Sequence, residues 1–257
     1  MTVKAKKHLG QHFLKDENIA KKIVDGLSFE GYDNILEVGP GMGVLTKYLL
    51  EKHKNIFLAE IDQESIEYLK QNYPTNILDK TFVGDFLKED FSSFENQQVA
   101  IIGNFPYNIS SQILFKIIDY YQLVPEMVGM FQKEVAERTA AKPRTKDYGI
   151  LSVMIQAYYE VEYLFTVHEN VFNPPPKVKS GVIKMTRNPK PGLSGNENLF
   201  KQIVKTGFNQ RRKKLSNALK SINIPEGIKN HPFFEKRGEE LSVEDFINFT
   251  ILWKENL

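Results

Sequence analysis

Short apolar runs alternate with segments of helical spacing over the first half of this 257-residue sequence. The runs are rich in Val, Ile and Phe, and for these segments we predict buried strands. They lie near residues 35–39, 56–62, 81–85, 99–103 and 127–131. Strands that alternate with helices form parallel sheets, because each connection crosses back over a face of the sheet. The alternation therefore predicts an α/β domain with a largely parallel sheet.

The pattern changes after residue 187. Residues 188–195 are rich in proline, glycine and polar side chains, a composition typical of a linker. The sequence beyond them has helical spacing and is basic. We therefore predict a first domain at residues 1–187, which includes a basic N-terminal arm, and a small helical domain at residues 188–257.

The absence of one residue type excludes several function classes. The chain contains no cysteine, so disulfides, cysteine-bound zinc and a thiol nucleophile are excluded. No apolar run approaches the ~20 residues of a membrane helix, and the first residues alternate with lysines instead of forming the apolar core of a signal peptide. We therefore expect a cytoplasmic protein that does not enter a membrane.

A glycine-rich segment follows the first predicted strand. Residues 37–43 read Glu-Val-Gly-Pro-Gly-Met-Gly, and glycines at a strand-to-helix junction let a ligand approach the backbone closely. A dinucleotide fingerprint requires a further glycine where this chain has Val44. The loop with glycines at 39, 41 and 43 therefore favours a nucleoside without a pyrophosphate, with Gly39 and Gly41 as candidate contacts, and a tight turn with no ligand stays an alternative.

Acidic residues end the next two predicted strands. Glu60 ends the second, where a carboxylate can accept hydrogen bonds from the hydroxyls of a ribose. Asp85 ends the third, where a carboxylate can accept from an adenine amino group. Each acid alone is also explained as a loop residue or a helix cap. Because the carboxyl ends of parallel strands meet at one edge, the three strand ends together predict a nucleoside cleft.

The fourth predicted strand ends in Asn-Phe-Pro-Tyr, residues 104–107. Pro106 restricts its own backbone and that of the preceding residue, so we expect a stiff segment. The Asn104 side-chain carbonyl and a backbone carbonyl of Phe105 or Pro106 can accept from the exocyclic amine of an adenine. The Tyr107 ring can stack on the base, so that positioning carries the step without a strong general base. On its own, the segment is equally well explained as a turn.

Basic residues cluster at both ends of the sequence. The first cluster contains Lys4, Lys6 and Lys7, and seven basic residues with no acid lie between residues 200 and 220, including Arg211, Arg212, Lys213 and Lys214. A single cluster is more often a solvated helix face than a binding site. Two clusters make binding to a polyanion such as RNA a serious alternative. The candidate RNA contacts are Lys4, Lys6, Lys7, Arg211, Arg212, Lys213 and Lys214.

The motifs at residues 37–43, 85 and 104–107 resemble those of class I S-adenosylmethionine-dependent methyltransferases that modify amino groups. Three further segments are similar to the ribosomal RNA adenine dimethyltransferases of the small-subunit type. They are Gly10-Gln-His-Phe-Leu14, Val171-Phe-Asn-Pro-Pro-Pro-Lys-Val178 and Phe208-Asn-Gln-Arg-Arg-Lys-Lys-Leu215. The resemblance covers residues 7–220. It implies a Rossmann-like sheet with one antiparallel strand, S-adenosylmethionine as cofactor and no metal.

The resemblance also implies a substrate and residue roles. The family dimethylates two adjacent adenosines in a hairpin near the 3′ end of small-subunit (16S) rRNA, so we expect a monomer that acts on a pre-30S particle in ribosome biogenesis. The implied cofactor contacts are His12, Leu14, Gly39, Gly41, Glu60, Asp85 and Asn104. The implied catalytic set is Asn104, Pro106, Tyr107 and Phe172, with Phe172 packed on the target adenine opposite Tyr107. Position 12 is His where the family often has Asn, a change that a backbone contact would survive.

Three other functions stay open at this point. One is the same chemistry on large-subunit rRNA, as in the macrolide-resistance methylases, and another is a non-catalytic small-subunit assembly factor. The third is a nicotinamide dehydrogenase, which Val44 disfavours. The Pro-Pro-Pro-Lys-Val segment and the basic helical region after residue 195 favour the small-subunit enzyme.

Overall fold

The computed structural model describes residues 3–73, 81–94, 97–189, 192–193 and 195–257. The chain divides into two compact units, Met1–Ala136 with Val161–Arg187 and Glu137–Glu160 with Asn188–Leu257. Residues 137–160 thus pack within the second unit, whereas the sequence placed them in the first domain. The domain boundaries stay a prediction, because a compact unit need not fold on its own. Residues 190, 191 and 194 of the predicted linker lie outside the described residues.

The first unit is built on a sheet. Its strands are β1 (Phe13–Leu14), β2 (Asn34–Val38), β3 (Asn55–Glu60), β4 (Thr81–Val83), β5 (Val99–Asn104), β6 (Glu126–Gln132), β7 (Tyr159–Val167), β8 (Phe172–Asn173) and β9 (Ser180–Arg187). Among the described residues, one sheet has the order β4-β3-β2-β5-β6-β9-β7, and β1 pairs with β8. The strands from β4 to β6 are parallel, and β9 runs antiparallel to β6. The predicted α/β class, with a largely parallel sheet and an antiparallel strand, is confirmed.

Helices connect the strands. They are α1 (Glu17–Val24), α2 (Thr46–Leu49), α3 (Gln63–Asn72), α4 (Ser110–Asp119) and α5 (Lys133–Ala140). The side chain of Asp16 begins α1 by accepting hydrogen bonds from the backbone N–H groups of Asn18 and Ile19. Four apolar residues at helical spacing form the buried face of α4: Ile113, Leu114, Ile117 and Ile118.

One helix start in this unit differs from the one that the sequence predicts. The sequence predicts a helix from Met42 to Lys52, but α2 begins only at Thr46. Gly41 and Gly43 have φ angles of 54° and 79°, which no helix contains, so the glycine loop displaces the helix start.

The second unit is helical. Its helices include α6 (Ile150–Gln156), α7 (Glu197–Asn209), α8 (Leu215–Ala218) and α9 (Val243–Glu255). Its buried side chains include the aromatic residues Phe200, Phe208, Phe246, Phe249 and Trp253. The Tyr148 hydroxyl donates to the Leu241 carbonyl at 2.9 Å within this core. Among the helices that the structure describes, none is both long and apolar enough to cross a bilayer.

Candidate active site

The chain order of the sheet reverses beside β2. The chain proceeds from β2 through β3 to β4 on one side, and β5 and β6 lie on the other side. In open α/β sheets, ligands bind outside the carboxyl ends of the strands at such a point. A cleft of about 750 Å³, counted to its open mouth, lies there. Its position is the one at which ligands bind in this class of sheet.

Eight of the predicted site residues line this one cleft: His12, Gly39, Gly41, Glu60, Asp85, Asn104, Pro106 and Tyr107. They come from the N-terminal arm and from the carboxyl ends of β2, β3, β4 and β5, or the residues just after them. The structure thus brings together residues that the sequence linked only through the expected geometry of a parallel sheet. Their individual roles stay proposals.

The carboxylate of Glu60 is held by the backbone. Its Oε2 accepts from the N–H of Gly41 at 3.1 Å, and its Oε1 accepts from the N–H groups of Ile61 and Asp62, each at 2.9 Å. A carboxylate has about four acceptor positions, so about one is left for a ligand. Burial raises the pKa of Glu60 above its usual value, although the three N–H groups oppose that shift. Glu60 therefore fixes the glycine loop and still offers an acceptor to the cleft.

The backbone at Gly39 is open to the cleft. Its φ angle is +69°, and a methyl group added at its Cα would meet no atom within 4 Å. A ligand can therefore approach the main chain closely at this residue. Asp85 offers a second polar contact, because among the described residues its hydrogen bond is made by Oδ1, which accepts from the N–H of Leu87 at 3.0 Å. That hydrogen bond caps the short helix at Phe86–Lys88.

The turn after β5 is held in place by contacts with residues of β6. The Phe105 N–H donates to the Met130 carbonyl at 3.1 Å, and the buried Phe105 ring stacks on Phe131 with ring centroids 4.8 Å apart. A methyl group at Gly129 would lie 2.2 Å from the Phe105 ring, so only glycine permits this packing. These contacts make Asn104–Tyr107 the stiff segment that the proline predicted.

The N-terminal arm is tied to the end of β3. The carboxylate of Asp62, a residue that is only 1% exposed, forms an ion pair with Lys6. It also accepts from the Gln11 side chain at 3.1 Å and from the Ser65 hydroxyl at 2.9 Å. The hydrogen bond to Asp62 raises the pKa of Lys6. Lys6 therefore has an anchoring contact that the sequence did not reveal, whereas Lys4 and Lys7 are exposed.

Two predicted site residues lie in the core and do not line this cleft. Leu14 and Phe172 face each other across the β1–β8 pair and belong to the hydrophobic core cluster of the first unit. Phe172 is only 1% exposed, so its ring presents almost no surface to a base in this structure. The ring that stacks on Tyr107 is His12, at a centroid distance of 5.4 Å. The base contact of Phe172 and the cofactor contact of Leu14 stay predictions.

The basic residues of the second unit differ in their surroundings. Arg211 donates to Glu239 at 2.6 Å and to the carbonyl oxygens of Thr145 and Lys146 at 2.9 and 2.6 Å. Lys214 forms an exposed ion pair with Glu235. Arg212 and Lys213 are exposed. Arg211 therefore holds the loop at residues 145–146 within its own unit. If Arg211 also contacts RNA, it must do so while it keeps these hydrogen bonds.

Sequence reasoning missed several apolar residues that line the cleft: Leu9, Phe13, Ile61 and Phe86. Ile61 is 52% exposed, unusual for its type, and directly follows the acid that ends β3. An apolar residue directly after Glu60 was therefore the feature of the sequence that could have identified Ile61 as a cleft residue. Sequence reasoning also passed over the buried Glu37 at the end of β2. Its carboxylate accepts from the Thr46 hydroxyl at 2.6 Å, and burial raises its pKa to about 8.

The family model for "Ribosomal RNA adenine dimethylase" matches residues 2–248 of the chain. The chain belongs to the ribosomal RNA adenine dimethylase family. The recognition, fold class and enzyme class predicted from the sequence are thereby confirmed. The family and its methyltransferase neighbours imply the use of S-adenosylmethionine. Within the described part of the chain, no group of three or more His, Cys, Asp or Glu side chains is arranged to hold a metal ion.

This family member is similar to several rRNA and adenosine methyltransferases. It is 60% identical over 249 residues to the ribosomal RNA small subunit methyltransferase A of Flavobacterium johnsoniae, covering 96% of this chain and 95% of that one. A solved dimethyladenosine transferase from Plasmodium falciparum superposes with a TM-score of 0.82 at 27% identity, over 95% of this chain and 98% of that one. The 23S rRNA methyltransferase ErmE superposes with a TM-score of 0.73 at 23% identity, over 94% and 99% of the two chains. At that identity, the last likeness shows a shared fold.

Proposed function

We propose that this adenine dimethylase transfers methyl groups from S-adenosylmethionine to the exocyclic amines of two adjacent adenosines in the 3′-terminal hairpin of 16S rRNA, within a pre-30S particle. The observation that carries the proposal is the single cleft that joins Gly39, Glu60 and Asp85 to the Asn104–Tyr107 turn. The name of the 60% identical relative supports the small subunit as the target. The enzyme acts as a monomer in the cytoplasm, where ribosomal subunits are assembled.

The donor set of the cleft fits the cofactor. Glu60 offers an acceptor to a ribose hydroxyl, Asp85 offers its free oxygen to the adenine amine, and Gly39 leaves open backbone for the amino-acid part. When bound, S-adenosylmethionine supplies a methyl group on a positively charged sulfur. Ile61 and Phe86 contribute the apolar surface against which an adenine ring packs. His12, Leu14, Gly41 and Asn104 complete the proposed set of cofactor contacts.

The target amine is held by acceptors. The Asn104 side-chain carbonyl and the backbone carbonyl of Phe105 or Pro106 accept its two hydrogens, which favours a tetrahedral nitrogen with an available lone pair. Bound S-adenosylmethionine would supply the methyl group to this lone pair, and the amine would release its proton to solvent. Burial raises the pKa of Tyr107, so its phenol stays protonated and acts by stacking. Because the His12 ring lies on one face of Tyr107, we assign the base to the other face of that ring, and the family resemblance assigns Phe172 to the opposite side of the base.

RNA contacts are assigned to exposed basic residues. Lys4 and Lys7 of the arm and Arg212 and Lys213 of the second unit offer free charges to phosphates. Lys6, Arg211 and Lys214 belong to the same clusters but already have carboxylate partners. The target bases are splayed out of the hairpin and stacked on aromatic rings.

The test is methylation of undermodified 30S and 50S particles with labelled S-adenosylmethionine, followed by mass spectrometry of the rRNA. We expect dimethyladenosine in 16S rRNA only, and none with the Asn104→Ala variant. Label in 23S rRNA alone would establish the large-subunit alternative. If Asn104→Ala methylates as the wild type does, the amine is held elsewhere. An assembly factor without activity would bind 30S particles and label neither.

A further inference from the structure

His12 joins three separate parts of the first unit. Its backbone carbonyl accepts from the Asn104 side-chain Nδ2 at 2.9 Å, and its ring Nδ1 lies 2.8 Å from the carbonyl oxygen of Pro174. Its imidazole stacks on Tyr107. The arm, the turn after β5 and the proline segment after β8 therefore meet at one side chain.

The contact with Asn104 fixes the orientation of an amide. A backbone carbonyl can only accept hydrogen bonds, so the Asn104 atom that faces it must be the nitrogen. The side-chain oxygen of Asn104 is then directed away from His12 O and is left as an acceptor. If the amide rotated by half a turn, its NH₂ group would take the place of that acceptor and would repel the hydrogens of an incoming amine. The chemistry of the His12 carbonyl thus selects the useful rotamer of Asn104.

The position of the His12 carbonyl depends on the His12 side chain. The Pro174 carbonyl is an acceptor, so the Nδ1 that faces it carries a proton. This hydrogen bond and the Tyr107 stack hold the imidazole from two sides. Directly after His12, the β1–β8 pair begins at Phe13, and the Lys15 N–H donates to the Val171 carbonyl at 2.8 Å. The arm is therefore fixed on both sides of the carbonyl that orients Asn104.

We propose that His12 is a positioning residue that keeps the Asn104 amide oxygen directed at the target amine, through its own carbonyl and through the Nδ1–Pro174 hydrogen bond. The inference rests on the proposed function of Asn104 and goes beyond it, since it assigns His12 a role in turnover that a cofactor contact does not require. Asparagine carries an N–H donor at the δ position, as His does at Nδ1, and so preserves this hydrogen bond. Glutamine carries its donor one atom farther out.

The test compares His12→Ala, His12→Asn and His12→Gln with His8→Ala, a matched control at an exposed histidine of the same arm. Turnover on 30S particles is measured at saturating S-adenosylmethionine, and cofactor affinity is measured separately by calorimetry. We expect His12→Ala and His12→Gln to lower kcat about tenfold, and the cofactor Kd to change by a much smaller factor, because a backbone contact of His12 with the cofactor survives these substitutions. His12→Asn should recover most of kcat, and His8→Ala should match the wild type. Thermal unfolding of each variant verifies that it is folded.

A spectroscopic measurement separates positioning from general damage. The side-chain NH₂ group of Asn104 gives two proton resonances, and the one bonded to the His12 carbonyl should be shifted downfield. We expect that shift to be lost in His12→Ala and kept in His12→Asn. The inference is overturned if kcat of His12→Ala is unchanged, if only the cofactor Kd rises, or if kcat falls while the Asn104 resonances stay in place. Wild-type protein that fails to methylate 30S particles would instead contradict the proposed function, and the resonances would still report the hydrogen bond.

Discussion

The hydroxyl of Tyr107 lies 2.6 Å from the Oγ of Ser180, which is fully buried. Ser180 begins β9, so this hydrogen bond joins the antiparallel strand of the sheet to the turn that carries Asn104. The bond fixes the phenol tip of Tyr107 and therefore the plane of the ring on which we expect the target base to stack. It also gives Ser180 a role in placing the base without contact to any substrate.

Removing this hydrogen bond should slow methylation while leaving the cofactor bound. A neutral hydrogen bond contributes about 1 kcal/mol, so Tyr107→Phe and Ser180→Ala should each lower kcat/KM for 30S particles about fivefold. Because both variants break one bond, the double variant should be hardly worse than either single one. Steady-state kinetics of the three variants provide the check. Losses that simply add would show that the two hydroxyls act independently.

Asp85 uses one oxygen to cap a helix, and we expect its other oxygen to accept from the adenine amine of the cofactor. Asp85→Asn retains an oxygen for the cap but places an NH₂ group where the adenine amine needs an acceptor. The cofactor Kd should therefore rise about tenfold or more, since hydrogen bonds to charged groups contribute about 1.5–3 kcal/mol. Asp85→Ala should show the same loss and an additional loss of about 1 kcal/mol in the free energy of unfolding. Calorimetry and urea unfolding measure the two effects, and a normal cofactor Kd in Asp85→Asn would contradict the assignment.

A buried carboxylate at the start of β6 should make stability depend on pH. The Glu126 side chain accepts from Lys184 at 2.7 Å, from the Tyr32 hydroxyl at 2.7 Å and from the Ser28 N–H at 2.9 Å. Burial alone would raise the pKa of Glu126, but these donors hold it below its usual value. Such a group stabilises the fold above its unfolded pKa of about 4.3, and this contribution is lost as the pH falls through the lower folded value.

Glu126→Gln should therefore lower the free energy of unfolding by about 3 kcal/mol at pH 7. The difference from the wild type should shrink below about pH 4. Urea unfolding of both proteins at pH 7, 5 and 3.5 measures this difference in the free energy of unfolding. Asp33→Asn is the control, because the Asp33 carboxylate pairs with Lys54 while 85% exposed, and exposed pairs contribute little. A pH-independent difference for Glu126→Gln would rule out the ion pair as its source.

Adjacent arginines in the second unit should behave differently. Arg212→Ala removes an exposed charge, so it should weaken RNA binding at every salt concentration and reduce the salt slope by about one, with unchanged stability. Arg211→Ala removes the contacts to Glu239 and to the carbonyls of residues 145 and 146. It should cost about 2 kcal/mol in the free energy of unfolding. Filter binding across a salt series and thermal unfolding distinguish the two, and equal effects on both readouts would refute the difference.

The site could be predicted from the sequence where local chemistry determines the geometry. Glycines after β2, acids after β3 and β4, and Asn104 at the end of β5 meet because parallel strands place their carboxyl ends at one edge. That inference requires no knowledge of which residues contact one another in the folded protein. The same reasoning gave the strands of the sheet, whereas the start of α2 was missed because the positive φ angles of the glycine loop override helical spacing.

Partners far apart in sequence could not be predicted. Lys6 looked like a free charge because nothing in its neighbourhood shows that Asp62 would be buried beside it. Arg211 has its carboxylate partner in Glu239, which belongs to a different segment of the second unit. Phe172 followed a motif, but its burial depends on β1 lying against β8. Charge and motifs identify candidate site residues in a sequence. The tertiary packing then determines which ligands those residues can contact.

The pairing of Leu14 with Phe172 has a consequence for synthesis. At ~5–20 residues per second, the ribosome takes about 8–30 s to reach residue 172 after it has made residue 14. During that interval the nascent chain can form β2 to β6 with the glycine loop, but its arm has no strand to join. Retention of the cofactor should therefore begin only once β8 has left the exit tunnel, and a chain interrupted earlier would have the sheet edge without the segment that closes it.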